Sequence, residues 1–188
     1  MTGPTDGRET DAADIDVRPY EPATDDRELW ALKRGFERGI GAETGGAEKE
    51  GVYEAKLTED YRERWLAWVD RCVGEDPDCV VVAAAVAADG ETTDTGGADP
   101  LVGYAFVLPE SLSFVWDAAV LNELYVAPAY RGTGVADDLF EAALARARGQ
   151  DLPLDRMVLD VDRANERARA FYERYGFEHW GEMVAREL

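Results

Sequence analysis

The chain has 188 residues, 46% of them hydrophobic, which suits one domain of ordinary size with a real core. Forty Asp and Glu stand against 20 Lys and Arg, a net charge of -20, and no basic stripe invites nucleic acid. No apolar run is long enough to span a membrane, and two cysteines with one histidine are too few for a zinc site, so no metal is expected.

Residues 1–13 are small, polar and acidic and are expected to be a disordered tail, with one domain over 14–188. "DIDVRPY" alternates as a first strand. "TDDRELWALKRGFERGI" spaces Leu29, Leu32, Phe36 and Ile40 as one helical face. "GAETGGAEKEG" reads as a glycine-rich link. "LTEDYRERWLAWVDRCV" is a second helix, with Tyr61, Trp65, Trp68 and Cys72 forming a core stripe. The apolar run "CVVVAAAVAAD" is an interior strand. "GETTDTGGADP" is an exposed hairpin loop and "LVGYAFVLPE" the returning strand. "WDAAVLNELYVAP" is a further strand, stopped by Pro128. A helix follows to about Arg148, then a strand in "LPLDRMVLDVDR". "ANERARAFYERYGF" is a short helix that Asn165 can cap at its start and Gly176 at its end. "EHWGEMVAREL" is expected to supply the last strand or strands.

One turn stands apart. Between Val126 and the next helix runs "APAYRGTGVADD", with Gly132 and Gly134 two apart and Arg131 just before them. The first amides of a helix lack intrahelical acceptors, and the helix dipole adds positive charge there, so an anion is the natural partner. Glycines at 132 and 134 and the small Ala136 clear space, and Arg131 adds a forked cation. The alternative is a tight strand-to-helix turn that binds nothing. No Lys-Ser or Lys-Thr follows the second glycine, which disfavours a P-loop.

The stretch "LNELYVAPAYRGTGVADDLFEAAL" resembles the acetyl-CoA-binding motif of the GNAT superfamily of N-acyltransferases, with Arg131, Gly134 and Ala136 in the family's order. The family's second motif is matched by Asn165, Phe171, Tyr172, Gly176 and Phe177. The resemblance is clear from about residue 100 to 188. It implies an α/β (α+β) fold with a mixed, mostly antiparallel twisted sheet of six or seven strands and about four helices. It also implies that acetyl-CoA is the co-substrate. Gly132, Thr133, Gly134, Val135 and Ala136 would hold its diphosphate, with Arg131 beside them. Leu124, Tyr125 and Val126 would pair with the pantetheine arm as an added strand does. Asp137 and Asp138, a departure from the family pattern, are expected to face solvent.

Transfer of an acetyl group to an amine needs a neutral amine, a donor for the developing oxyanion and a proton for the thiolate. By its position Tyr172 is the candidate acid, on one helical face with Asn165 and the small Ala168; packing in the core is the alternative for Tyr172, and a helix cap for Asn165. The Val126 N–H is the expected oxyanion donor. Glu123, alternating with Leu124, can take the amine proton through a water; the alternative is an ion-paired glutamate and no dedicated base. His179 is expected to be structural. The amine acceptor is not readable, and a small molecule, a lysine or a protein N-terminus all fit. A catalytically silent acyl-CoA sensor is the second reading. The acidic, lysine-poor composition resembles that of proteins from salt-in halophiles, an ordinary acidic domain being the alternative. A cytoplasmic monomer or homodimer, without nucleic acid or membrane partners, is expected.

Overall fold

Two apolar strands form the middle of the sheet because they carry almost nothing that water would hold. These are β2 (Val80–Val86) and β3 (Leu101–Val107), antiparallel and buried on both faces. The computed structural model describes residues 14–44, 46–86, 99–184 and 186. The expected tail at 1–13 and most of the hairpin loop expected at 90–100 lie outside the described residues. β1 (Asp14–Pro19) pairs antiparallel with β2, and β4 (Ala119–Val126) antiparallel with β3. β5 (Met157–Val158) closes the order β1-β2-β3-β4-β5, parallel to β4.

Helices cover both faces. α1 (Pro22–Thr44) and α3 (Glu59–Glu75) lie on one side, where Leu29, Leu32, Trp65, Val69 and Cys72 bury against Val80, Val82, Tyr104 and Phe106. α3 starts at Thr58, whose hydroxyl accepts from the Tyr61 N–H. On the other side α4 (Val135–Arg148) buries Val135, Leu139, Phe140 and Ala143 against Val81, Ala105 and Val107. α5 (Glu166–Arg174) adds Phe171, Tyr172 and Tyr175 at the margin of that core.

The structure has five strands among the described residues, not six or seven. Residues 178–184 form no strand. A two-residue β5 offers almost no edge for another strand to pair with. A fifth helix, α2 (Gly46–Ala55), replaces part of the expected glycine-rich link, and α1 runs to Thr44. Ala, Glu and Lys are good helix formers, and here they outweigh the glycines that suggested a loop. Among the described residues no helix is long and apolar enough to cross a membrane.

Candidate active site

β4 carries the features that define the site. Its register with β3 slips between Phe106↔Glu123 and Val107↔Leu121, so Asn122 is an extra residue in a bulge. The bulge changes the phase of the strand. Leu121 packs in the core beneath α4, whereas Glu123 reaches the α1 side. Beyond the bulge, the Ala127 N–H donates to the Val102 carbonyl at 2.8 Å. The alternation of an antiparallel ladder then turns the main-chain groups of Leu124 and Val126 away from β3, toward the β5 side. β5 pairs only with Ala119 and Val120. The edge of β4 from Leu124 to Val126 therefore has no strand beside it among the described residues. One of its groups is used: Arg131 Nε donates to the Val126 carbonyl at 3.1 Å.

The chain leaves this edge through a 3-10 turn at Pro128–Tyr130 and enters α4. Gly132 and Gly134 have φ of +81° and +98°, the left-handed region that side chains disfavour, and Gly134 is the N-cap of α4. A Cβ built at either glycine meets nothing within 4 Å. The space above the turn is thus open, and conformation alone makes these residues glycine in the free protein. Among the described residues the amides of Gly132 to Ala136 donate to no protein acceptor. The next two amides, of Asp137 and Asp138, both turn back to the Gly134 carbonyl. Thr133 folds its hydroxyl onto the Tyr130 carbonyl at 2.7 Å. The result is a nest of free N–H groups at a helix N-terminus, beside an unpaired strand edge. That donor set fits the diphosphate and amide arm of an acyl-coenzyme A.

α5 faces the same side of the sheet. Asn165 Oδ1 accepts from the Ala168 N–H at 3.0 Å, so the cap is real, and its Nδ2 has no protein acceptor among the described residues. At the other end Gly176 has φ +82°; its N–H donates to the Glu173 carbonyl and that of Phe177 to the Tyr172 carbonyl, a Schellman closure. Asn165, Ala168 and Tyr172 are half-buried on one face, between exposed Arg and Glu. The Tyr172 ring packs among Phe140, Phe171 and Phe177, with centroids 5.4–6.1 Å away. Among the described residues its hydroxyl has no protein partner, and burial pushes its pKa up to about 12, so it stays protonated at neutral pH.

Glu123 is in a different situation. It is 6% exposed. Oε1 meets Lys33 Nζ at 2.5 Å and Asn122 Nδ2 at 3.2 Å, and Oε2 accepts from the Tyr104 hydroxyl at 2.6 Å. Lys33 Nζ also pairs with Glu37 at 2.7 Å, and Glu37 with Lys56 at 2.7 Å. Burial opposes the Lys33 charge, but Glu123 and Glu37 outweigh it and hold the ammonium above its ordinary pKa. Burial likewise opposes the Glu37 charge, and Lys33 and Lys56 outweigh it, leaving its pKa below the ordinary value. Burial and then the Glu123 carboxylate push the Tyr104 phenol well up. Of the alternatives left open for Glu123, the geometry is that of the ion pair. The partner, Lys33, is 90 residues away, so no local pattern announced it. Tyr125, next along this face, lies under α1, where a Cβ at Gly35 would collide with its phenol ring.

Two smaller expectations are corrected. Asp137 does not simply face solvent, because its Oδ1 accepts from Arg174 Nη2 and from the Tyr175 hydroxyl, both at 2.6 Å. His179 lies in no strand and sits 3.9 Å from Glu182 at the exposed surface.

The likeness to solved structures fits this geometry. The fold is similar to that of the PaiA N-acetyltransferase of Thermoplasma acidophilum, solved with coenzyme A. The TM-score is 0.63 at 21% identity, covering 88% of this chain and 90% of that one. It is also similar to an aminoglycoside N-acetyltransferase solved with coenzyme A, with TM-score 0.59 at 17% identity, covering 94% and 95%. The class is thus the mixed α/β acyltransferase fold of the GNAT proteins. The acetyltransferase (GNAT) family profile matches residues 36–177, and the chain belongs to that family. Among curated relatives, the uncharacterized N-acetyltransferase YjgM of Escherichia coli K12 is 35% identical over 91 residues, covering 48% of this chain and 47% of that protein. Mycothiol acetyltransferase of Salinispora tropica is 40% identical over 74 residues, covering 38% and 24%. The chain spans about half the length of the first of these and about a quarter of the second.

Proposed function

We propose that the protein transfers an acetyl group from acetyl-CoA to a primary amine in a ternary complex. The observation that carries this reading is the run of amides at Gly132–Ala136, unpaired and adjoining the unpaired edge of β4. In this reading those amides hold the diphosphate, with Arg131 at their flank. The main chain of Leu124, Tyr125 and Val126 lies along the pantetheine arm, and Asn165 and Ala168 line its other side. The coenzyme A relatives of the same fold support the choice of ligand.

The amine nitrogen attacks the thioester carbonyl carbon; the C–N bond forms and the C–S bond breaks. The Val126 N–H donates to the carbonyl oxygen as negative charge builds there. The departing sulfur takes a proton from the Tyr172 hydroxyl, whose burial keeps it protonated, and the phenolate is then reprotonated from water. The amine's proton goes to water. Glu123 can receive it from that water only by exchanging one of the three donors it now holds. The acceptor is a primary amine on a small molecule, a lysine or a protein N-terminus. We also propose that the acidic surface makes the protein a salt-requiring one, since high ionic strength screens its self-repulsion.

The test is release of free thiol from acetyl-CoA in molar KCl with a panel of amines: polyamines, aminoglycosides, lysine and peptide N-termini. Amine-dependent release, one thiol per acetyl amide, is expected for at least one class. Binding of coenzyme A without any amine-dependent release would replace the enzyme by a sensor.

A further inference from the structure

The N-terminal turn of α4 contains an acid that ought to spoil it. Asp137 is the third residue after the N-cap Gly134. A carboxylate at that position is well placed to turn back on the free amides of its own helix, and the helix dipole favours it there. Left alone it would compete with any external anion for the same N–H groups and add a negative charge beside them. In a chain of net charge -20 that penalty comes on top of a repulsive overall field.

The structure gives Asp137 other partners. Its Oδ1 takes two hydrogen bonds at 2.6 Å, from Arg174 in the last turn of α5 and from Tyr175 just beyond it. Both donors are themselves fixed. The Arg174 guanidinium lies 5.3 Å from the Phe171 ring centroid and 5.4 Å from that of Tyr175. The Tyr175 ring packs on Phe140 of α4 at 4.4 Å. Burial, then the bond to Asp137, pushes the Tyr175 phenol up to about 12, so it remains a donor throughout the neutral range.

We propose that Arg174 and Tyr175 are positioning residues for the anion turn, holding the Asp137 carboxylate off the amides of residues 132–136 and cancelling its charge. The diphosphate then meets free N–H groups beside an ion pair, not amides already bonded to a carboxylate. This rests on the reading of the turn as the acetyl-CoA site, and it adds a role for residues outside that site. It also ties the end of the helix carrying Tyr172 to the start of the helix carrying the turn.

Calorimetric titration with coenzyme A in concentrated KCl, together with steady-state kinetics, tests the proposal. Releasing Asp137 by the double substitution Arg174→Ala/Tyr175→Phe should raise the coenzyme A Kd about fivefold to tenfold, a loss of about 1–1.4 kcal/mol. It should raise the acetyl-CoA KM alike and leave kcat within about twofold. Adding Asp137→Asn to that pair should bring Kd back to within about twofold of the parent. A purely structural tie predicts the opposite, because the triple variant has lost the tie as fully as the double. Arg169→Ala removes the same charge from the exposed side of the same helix, and its Kd should not change. An unchanged Kd in the double variant, or no rescue by Asp137→Asn, overturns this inference and leaves the site reading standing. A parent protein that binds no coenzyme A overturns the site reading itself.

Discussion

The two faces of β4 are built on opposite principles. On the α1 side, Glu123 is fully engaged: it pairs with the buried Lys33, which also pairs with Glu37, and it accepts from Asn122 and the Tyr104 hydroxyl. On the α4–α5 side, the strand edge at Leu124–Val126 has no neighbouring strand among the described residues and only the Arg131 guanidinium on its Val126 carbonyl, and the amides of 132–136 and the Tyr172 hydroxyl nearby have no protein partner among them. Buried polar groups in proteins are nearly always satisfied from within. Gly132 to Gly134 are exposed, so their amides are solvated in the free protein and open to an anion, as the proposed acetyl-CoA site requires, whereas the groups around Glu123 already bond one another. Under the proposed function Tyr172 is the group placed for the chemistry, since Glu123 already holds three donors.

The contrast is sharpest when each side is broken in turn. Lys33→Met removes the cation from two buried carboxylates and should cost about 3 kcal/mol or more of stability in urea unfolding. A change below 1 kcal/mol would mean the network is not what supports that face. The same pairing fixes the acid limb. The Glu37 pKa is lowered in the folded state, so its contribution is present above the ordinary carboxylate value of about 4.3 and fades as pH falls through the lower folded value. Asp25, whose pKa the Arg18 guanidinium lowers against the pull of burial, acts in the same direction. The midpoint of acid unfolding should move to higher pH in Lys33→Met.

On the other face, effects should appear in activity first. Tyr172→Phe should lower kcat about 100-fold, in the range of general acid catalysis, with Kd for coenzyme A nearly unchanged; an unaltered kcat would remove the phenol from the chemistry. The smallest effect is expected at Asn165→Ala. Loss of its cap should cost about 1 kcal/mol of stability, and a larger loss in KM for acetyl-CoA than in stability would add a contact through Nδ2.

Much of the α4–α5 side was legible in the sequence because its signals are local. A glycine pair after an arginine, an Asn seven residues before a Tyr and a Gly-Phe closing the helix all act over a turn or two. The structure bears out both caps of α5 and gives both turn glycines positive φ. The α1 side was not legible in the same way. Lys33 and Glu123 meet only because α1 packs across a bulged β4, and a bulge at Asn122 leaves no mark that periodicity can detect. The grip of Arg174 on Asp137 escaped for the same reason, being a contact between helix ends 37 residues apart. α2 was hidden by its glycines, and the strand expected in "EHWGEMVAREL" has only the two-residue β5 as a neighbouring edge.

The proposed activity depends above all on the turn at Gly132–Ala136 being an anion site. Titrating coenzyme A into the parent protein and into Gly134→Ala, in concentrated KCl, tests that most directly. Apart from its two chain neighbours, the added methyl group meets no atom of the described residues within 4 Å, so beyond a backbone strain of about 1–2 kcal/mol it should touch only the ligand. The prediction is a one-site heat for the parent and at least about tenfold weaker binding for the variant; no heat for the parent, or equal affinity in both, would contradict it.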